Sequence, residues 1–203
     1  LYGWGAGIFF LGYALFEVPS NMILAKVGAR RWIARIMLTW GLISGAMAFA
    51  TGPTSFLVLR FLLGVAEAGF FPIIFYLCTW YPAAYRARVI SALFIAVPIS
   101  NAAASIISGA ILEMDGILGL KGWQWVFIIE AMPAVLLSFV VWQRMIDRPA
   151  DAKWLSPDER EWLDGQLRAE RNKVESSGHM SLWRALTDRR VLVLAMIYMT
   201  SVT

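Results

Sequence analysis

Long apolar stretches, separated by short polar or basic segments, dominate the pattern of hydrophobic and polar positions along this chain. We interpret five of them as membrane-spanning helices, at residues 3–24, 36–50, 56–80, 89–112 and 126–143. The fourth stretch holds 24 residues without a formal charge, enough for a helix to cross about 30 Å of hydrocarbon. The pattern therefore predicts an all-α membrane protein, with five transmembrane helices over residues 1–143.

The segment at residues 144–190 is polar and holds 10 of the 18 basic and 9 of the 14 acidic side chains. Ser156, Pro157 and Glu159 are typical of a helix start, because Ser caps the first turn and Glu completes a capping box. An apolar stripe follows from Trp154, Leu155, Trp162, Leu163 and Leu167. We expect a central loop with a short amphipathic helix on the membrane surface, or equally a solvated linker helix. Residues 191–203 indicate the start of a sixth span.

Basic side chains are concentrated in alternate connections between the spans. One set contains the polar segment from Arg144 onward and six earlier residues, which are Lys26, Arg30, Arg31, Arg35, Arg86 and Arg88. The opposite set holds no basic residue at 51–55 and only Lys121 at 113–125. The positive-inside rule therefore predicts a multi-pass protein of the inner (plasma) membrane with its basic connections in the cytoplasm.

Composition excludes several classes of function. Hydrophobic residues make up 59% of the chain and charged residues 16%, and no basic patch is interleaved with aromatic residues, so we expect no nucleic-acid partner. Cys78 is the only cysteine and His179 the only histidine, which leaves no ligand set for a metal and no cofactor motif. An intramembrane enzyme would need a nucleophile with its base, or a metal cluster, so the sequence argues against an enzyme. The chain lacks an initiating Met and stops within an apolar run, so we interpret it as part of a longer protein.

Two charged side chains lie within the third apolar stretch. Arg60 and Glu67 are seven residues apart, so on a helix they project from nearly the same face, about 10 Å apart. A charge at mid-bilayer costs about 2.5–3.5 kcal/mol on the mildest scale, and we expect both to face a watery cavity or a partner. Burial favours a neutral carboxyl and a nearby Arg favours a charged one, so Glu67 could load and release a proton. The alternative is a permanent ion pair between Glu67 and Arg60 or another helix.

Other polar or small residues within the spans have two interpretations each. Tyr13 could line a cavity or be a core aromatic residue, and Asn101, three residues after Pro98, could line the cavity or join two helices. We expect Glu17 and Glu130 to be structural. Glycines spaced four apart favour close helix packing without any site, at Gly3 and Gly7 and at Gly41 and Gly45.

Three stretches resemble the major facilitator superfamily, and more closely its anion:cation symporter branch. Residues 21–31 resemble the superfamily's Gly-x-x-x-Asp-Arg-x-Gly-Arg-Arg loop: Gly28, Arg30 and Arg31 match, whereas Asn21 and Ala25 replace Gly and Asp. Arg60-Phe61-Leu62-Leu63-Gly64 with Glu67-Ala68-Gly69 is similar to the fourth-helix motif of that branch, and Gly122-Trp123-Gln124-Trp125 to the entry of its sixth helix. The closest likeness is to permeases for tartrate, sugar acids and hydroxyphenylacetate.

The resemblance implies a helical bundle that begins at the second transmembrane helix and reaches the start of the seventh. It implies a monomeric secondary transporter that takes up a small organic anion together with protons. Glu67 would couple protons, and Arg60 and Tyr13 would bind substrate. From its place within the fourth span, we add Asn101 to the candidate substrate-binding residues. The loop residues implied to form a cytoplasmic gate are Gly28, Arg30, Arg31, Arg86 and Arg88. Two alternatives stay open. One is a receptor of the same fold that binds a ligand without transporting it, and the other is a transporter that is coupled to Na⁺ or works by exchange.

Overall fold

The computed structural model describes residues 2–68, 70–176, 187–193 and 196, and the regular elements in this part are all helical. The seven α-helices are α1 (Tyr2–Val27), α2 (Ala29–Ala46), α3 (Pro53–Glu67), α4 (Phe70–Trp80), α5 (Ala83–Leu112), α6 (Gly122–Arg144) and α7 (Pro157–Ser176). Short 3₁₀ turns lie at Met47–Phe49, Ile117–Gly119 and Pro149–Asp151. The predicted all-α class is confirmed. His179 and most of the predicted sixth span lie outside the described residues.

Helices α1 and α3 pack with their backbones in close contact, because glycines remove the side chains between them. A Cβ atom at Gly64 would overlap the carbonyl group of Phe9, and one at Gly12 would lie 2.7 Å from the carbonyl oxygen of Phe61. Gly5 meets the ring of Phe56 in the same way. This contact fixes the helix that carries Arg60 and Glu67 against α1.

Glycines also join α2 to α6, the most extensive helix pair in the described bundle. A Cβ atom at Gly41 would lie 2.8 Å from a methyl group of Val135, and one at Gly45 would lie 3.4 Å from Ala131. The predicted packing role of Gly41 and Gly45 is confirmed. The same prediction for Gly3 and Gly7 is wrong for the described chain, since nothing lies within 4 Å of either position. Gly5 and Gly12 lie on the face of α1 that packs.

The third predicted span, residues 56–80, is two helices and not one. Helix α3 ends at Glu67, Ala68 has a non-helical ψ of 82°, and α4 starts at Phe70; Gly69 lies outside the described residues. Pro72 lies just after the break and has no N–H that a continuous helix could donate to the carbonyl of Ala68. In the first turn of α4 the missing N–H costs nothing. A carboxylate therefore lies at the end of a half-helix.

Four helices of the described part are long and apolar enough to cross a membrane: Gly3–Val27, Ala29–Phe49, Ala83–Leu112 and Gly122–Arg144. Helices α3 and α4, at 15 and 11 residues, meet that length only as a pair. Helix α5 packs mainly against α4 and α6, and Ile111 is its only buried residue. One broad face of α5 is therefore uncovered in this chain.

Helix α7 is 20 residues long and begins with the predicted capping box. The backbone N–H of Glu159 donates to the hydroxyl of Ser156 (3.2 Å), and a carboxylate oxygen of Glu159 accepts from the Ser156 N–H (2.9 Å). Leu167 of the predicted apolar stripe is buried, whereas Trp162 is exposed. Trp154 lies before the helix and stacks on Trp80 of α4, with ring centroids 6.1 Å apart. The predicted stripe is therefore divided: Leu167 is buried, Trp154 contacts α4 from ahead of the helix, and Trp162 is exposed.

Candidate functional site

Arg60 and Glu67 both project from α3 and are both half-buried. The guanidinium carbon of Arg60 lies 5.2 Å from the ring centroid of Phe56, and its Nε is buried without a hydrogen-bond partner in the described chain. The ion pairs among the described residues are Arg86–Glu170 and Arg168–Asp164, so Arg60 and Glu67 are not bridged to each other. A permanent pair between these two side chains is therefore not part of this arrangement.

Tyr13 lies on α1, where this helix crosses α3. A Cβ atom at Gly64 would be 3.0 Å from the backbone nitrogen of Tyr13, so Tyr13 lies at the level of Gly64. Gly64 follows Arg60 by four residues and precedes Glu67 by three. The tyrosine ring packs 6.3 Å from that of Phe9 and is half-buried. The α1–α3 contact thus brings Tyr13 to a level between the two charged residues.

Asn101 is on the uncovered face of α5 and is exposed. Its carbonyl accepts a hydrogen bond from the Ser105 hydroxyl one turn later (2.9 Å). Because α5 packs mainly on α4 and α6, the described chain does not bring Asn101 together with Tyr13, Arg60 and Glu67. Pro98 lies inside α5, which continues through it, in agreement with the single span predicted at residues 89–112.

A cavity of about 490 Å³ opens beside Arg60, between the first turns of α3 and α6. Its walls include the aromatic rings of Phe56, Trp123 and Phe127. Sequence reasoning missed these three residues as a group, because Phe56 and the other two are about 70 positions apart. The arrangement joins a guanidinium to apolar walls, which can hold an organic acid by its carboxylate.

We call the opposite end of the bundle the basic end. The segments 26–31, 80–88 and 144–176 meet there. Here Gly28 has a φ of 94°, a conformation that favours glycine, and leads into α2. The first turn of α2 is capped from far away, since Asp147 accepts a hydrogen bond from the Arg30 N–H (2.7 Å). Asp147 and Ala25 line the same cavity, so an acid stands near the place where the family loop has its Asp.

A second junction at the basic end involves Arg86 and Glu170. Their side chains form a salt bridge of 2.6 Å, and the other carboxylate oxygen of Glu170 accepts from the Ala83 N–H at the start of α5 (2.7 Å). Arg86 also donates to the carbonyls of Tyr81 (2.9 Å) and Cys78 (3.2 Å). The α4–α5 connection is therefore tied to α7.

The remaining predicted gate residues, Arg31 and Arg88, are exposed. Sequence reasoning missed Asp147 and Glu170, and it also missed Tyr76, whose hydroxyl donates to the Ile146 carbonyl (2.7 Å). No local motif signals these contacts, since each joins positions at least 70 residues apart. Among the described residues no group of three His, Cys, Asp or Glu side chains could hold a metal ion.

The whole chain, residues 1–203, matches the family described as the Major Facilitator Superfamily. The chain belongs to this superfamily. Together with its long apolar helices, membership makes the chain part of a multi-pass membrane protein of a transporter family. The predicted family is thus confirmed, and the helical bundle with it.

Several relatives in the superfamily carry transporter names. A proposed tartrate transporter of Agrobacterium vitis is 58% identical over 199 residues, which are 98% of this chain and 46% of that protein. A quinolone resistance transporter of Acinetobacter baumannii is 48% identical over the same share of both chains. RhmT, an inner membrane transport protein of Escherichia coli K12, is 42% identical over 98% of this chain and 46% of its own length. The chain therefore spans about half the length of the curated relatives it matches.

Proposed function

We propose that the protein containing this chain is a secondary transporter that couples uptake of a small organic anion to protons. The observation that carries the proposal is the position of Arg60 and Glu67 and the contacts that these two side chains make. Both lie within an apolar stretch on a helix that packs closely against α1, and neither makes a hydrogen bond or ion pair with another described residue. Ionisable side chains within membrane spans are rare and mark ion and substrate pathways.

Arg60 is the proposed substrate ligand. A guanidinium binds a carboxylate through two parallel hydrogen bonds, and the aromatic walls beside it offer an apolar surface to the rest of the acid. Tyr13 and Asn101 are proposed to contribute hydrogen bonds from α1 and α5. The substrate class we propose is a small acid such as tartrate, a sugar acid or an aromatic acid, in line with the name of the Agrobacterium vitis relative.

Glu67 is the proposed proton-coupling residue. It is the last residue of α3, and the backbone changes direction directly after it. Discontinuous helices with an ionisable group at the break are a recurring way to build coupling sites near the midplane of transporters. The proton would bind this carboxyl while the site faces one side and leave while it faces the other.

The basic end is proposed to be cytoplasmic and to act as a gate that includes Gly28, Arg30, Arg31, Arg86 and Arg88. The distribution of basic residues supports this orientation. The capping of α2 by Asp147 and the Arg86–Glu170 bridge support the gate, since both tie a loop of the bundle to the segment after α6. The protein is proposed to work as a monomer in the inner membrane.

Uptake by the full-length protein in proteoliposomes tests this function. A panel of labelled tartrate, sugar acids and aromatic acids is offered with and without an inward proton gradient. Accumulation of one acid that requires the proton gradient is the expected result. Saturable binding without accumulation would point to a receptor, and accumulation driven only by Na⁺ or by an exchanged anion would overturn proton coupling.

Two variants assign the residues. We expect Glu67→Gln to abolish proton-driven accumulation while exchange persists, with Glu113→Gln, an exposed acid at the end of α5, as control. Arg60→Lys should weaken anion binding at least tenfold, because Lys cannot form the bidentate contact. Full accumulation by the Glu67 variant would remove that residue from coupling, and unchanged affinity of the Arg60 variant would return Arg60 to packing.

Orientation is tested separately with single cysteines, in a full-length background where Cys78 and any cysteine outside this chain are replaced by Ser. Lys121→Cys and Lys153→Cys place a thiol on exposed residues at opposite ends of the bundle. A membrane-impermeant maleimide should label position 121 in intact cells and position 153 only after the cells are opened. The reverse pattern would place the basic end outside.

A further inference from the structure

A cavity of about 560 Å³ lies at the basic end, between the α1–α2 junction, α4 and the segment that runs from Asp147 into α7. Of the proposed gate residues only Gly28 lines it, and the proposed substrate ligands do not. The aromatic-lined cavity beside Arg60 is at the other end of the bundle. The cavity at the basic end therefore needs a separate explanation.

The charges that line this cavity do not cancel. Two acids line the cavity. Asp147 accepts a hydrogen bond from the Arg30 N–H (2.7 Å), and Asp164 forms a salt bridge with Arg168 (2.6 Å). Arg148 and Arg171 also line the cavity, and neither side chain forms a hydrogen bond or ion pair with another described residue. Two guanidinium groups are thus available to a ligand that enters from outside the chain.

The position of Arg171 is set by how α7 is held. Asp164, Leu167 and Arg171 recur at intervals of three and four, so they share one face of this helix, and all three line the cavity. Leu167 is buried on this face, and the neighbouring Glu170 is fixed by Arg86 and the Ala83 N–H. Arg171 is therefore presented from a helix that is anchored directly before it, whereas Arg148 precedes the turn at Pro149–Asp151.

Apolar side chains of the helical bundle also line the cavity. They include Leu24 of α1, which is buried, and Phe75 of α4, which is 48% exposed. Guanidinium groups and apolar side chains that line one cavity match the chemistry of a phospholipid, whose phosphate adjoins its acyl chains. Basic pockets between transmembrane helices are known to hold anionic head groups.

We propose that this cavity is a phosphate-binding site that takes the head group of an anionic phospholipid. Arg148 and Arg171 hold the phosphate, and Phe75 contacts the start of an acyl chain. The chemistry that is recognised is the phosphate group, so inorganic phosphate is the other source to be distinguished. The inference concerns lipid binding and does not depend on which substrate is transported.

Lipid retention by the full-length protein tests the proposal without any transport assay. The protein is purified in mild detergent, exchanged into micelles that contain phosphatidylglycerol or phosphatidylcholine, and examined by native mass spectrometry. In parallel, inorganic phosphate is titrated by calorimetry. The variants are Arg148→Gln/Arg171→Gln, the charge-preserving pair Arg148→Lys/Arg171→Lys, and the control Arg189→Gln/Arg190→Gln, which removes the same charge at two exposed residues outside the cavity.

Phosphatidylglycerol should be retained by the wild type and the control. Affinity should fall about thirtyfold in the Gln pair and recover at least partly in the Lys pair. Saturable binding of inorganic phosphate with the same dependence on the two arginines, without lipid retention, would support the site but assign it to free phosphate. Equal retention of phosphatidylglycerol by the wild type and the Gln pair, or binding of neither probe by the wild type, would overturn the proposal.

Discussion

Helices α3 and α5 are both apolar and both carry polar groups into the membrane, but they are held in different ways. Helix α3 has 15 residues, of which Leu63, Gly64 and Ala66 are buried, and its backbone touches that of α1. Helix α5 has 30 residues and buries only Ile111. Hydropathy alone does not distinguish the closely packed helix from the uncovered one. The glycines do, since Gly64 of α3 meets the backbone of α1 and Gly109 of α5 has nothing within 4 Å.

Polar contacts near its ends hold α5 instead of packing along its length. At its first turn Glu170 accepts from the Ala83 N–H and bridges Arg86. Near its last turn the Ser108 hydroxyl is hydrogen-bonded to the Glu130 carboxylate of α6. Close backbone packing against α1 therefore fixes α3, whereas two polar contacts near its ends fix α5. The middle of α5 is left uncovered.

The largest expected effect on stability comes from the close packing of α3 against α1. Gly64→Leu should destabilise the full-length protein by about 1–3 kcal/mol or prevent its folding, because a side chain there overlaps the Phe9 backbone. Gly109→Leu on α5 is the matched control, since nothing lies within 4 Å of Gly109 and a helix former gains about 1 kcal/mol over glycine. Thermal unfolding midpoints measure both. Equal midpoints would remove the distinction between the two helices.

The next effect concerns the attachment at the start of α5. A double-mutant cycle on Arg86→Ala and Glu170→Ala should give a coupling free energy of about 1 kcal/mol, because both side chains are mostly shielded from solvent. The cycle on Arg168→Ala and Asp164→Ala is the reference, with about 0.3–0.5 kcal/mol for an exposed pair within one helix. Coupling energies that are the same in both cycles would argue that α7 does not hold α5.

The attachment at the other end of α5 is weaker. Ser108→Ala should cost about 0.6 kcal/mol, the average for a hydrogen bond between transmembrane helices. Ser105→Ala should cost close to nothing, since the Ser105 hydroxyl bonds only the Asn101 carbonyl of its own helix. Unfolding in mixed micelles compares the two. A larger loss at Ser105 than at Ser108 would contradict the role of Glu130 as partner.

The smallest effect lies in the cap of α7, the helix that carries Glu170. The hydrogen bond from the Ser156 backbone N–H lowers the pKa of Glu159 below its ordinary value. A lowered carboxyl pKa means that the cap stabilises α7 above the unfolded pKa of about 4.3 and is lost as pH falls through the folded value. Glu159→Ala should therefore speed amide exchange in the first turn of α7 at pH 7 but not well below pH 4. Glu161→Ala, an exposed acid on the same helix, should show no such pH dependence.

Sequence predicted the features that depend on neighbours within a turn or two. The capping box at Ser156 is of this kind. Glycine spacing alone is not sufficient, since it predicted packing correctly at Gly41 and Gly45 but not at Gly3 and Gly7. The break after Glu67 was not predicted, because a proline within an apolar run does not by itself indicate one, as Pro98 in the continuous α5 shows. Asp147 and Glu170 could not be predicted, because each of them acts on a helix start more than 80 residues away. The role of Asn101 stays a prediction, because this side chain is exposed on a helix that buries only Ile111.

The long reach of Asp147 also has a consequence for biosynthesis. The first turn of α2 is completed by a carboxylate that is made 117 residues after the amide it accepts from. At about 5–20 residues per second, between about 6 and 23 seconds of translation separate the two groups. Throughout that interval the start of α2 depends on water or lipid for its hydrogen bonds. Emergence of the residues after α6 from the ribosome is therefore the earliest moment at which this end of the bundle can close.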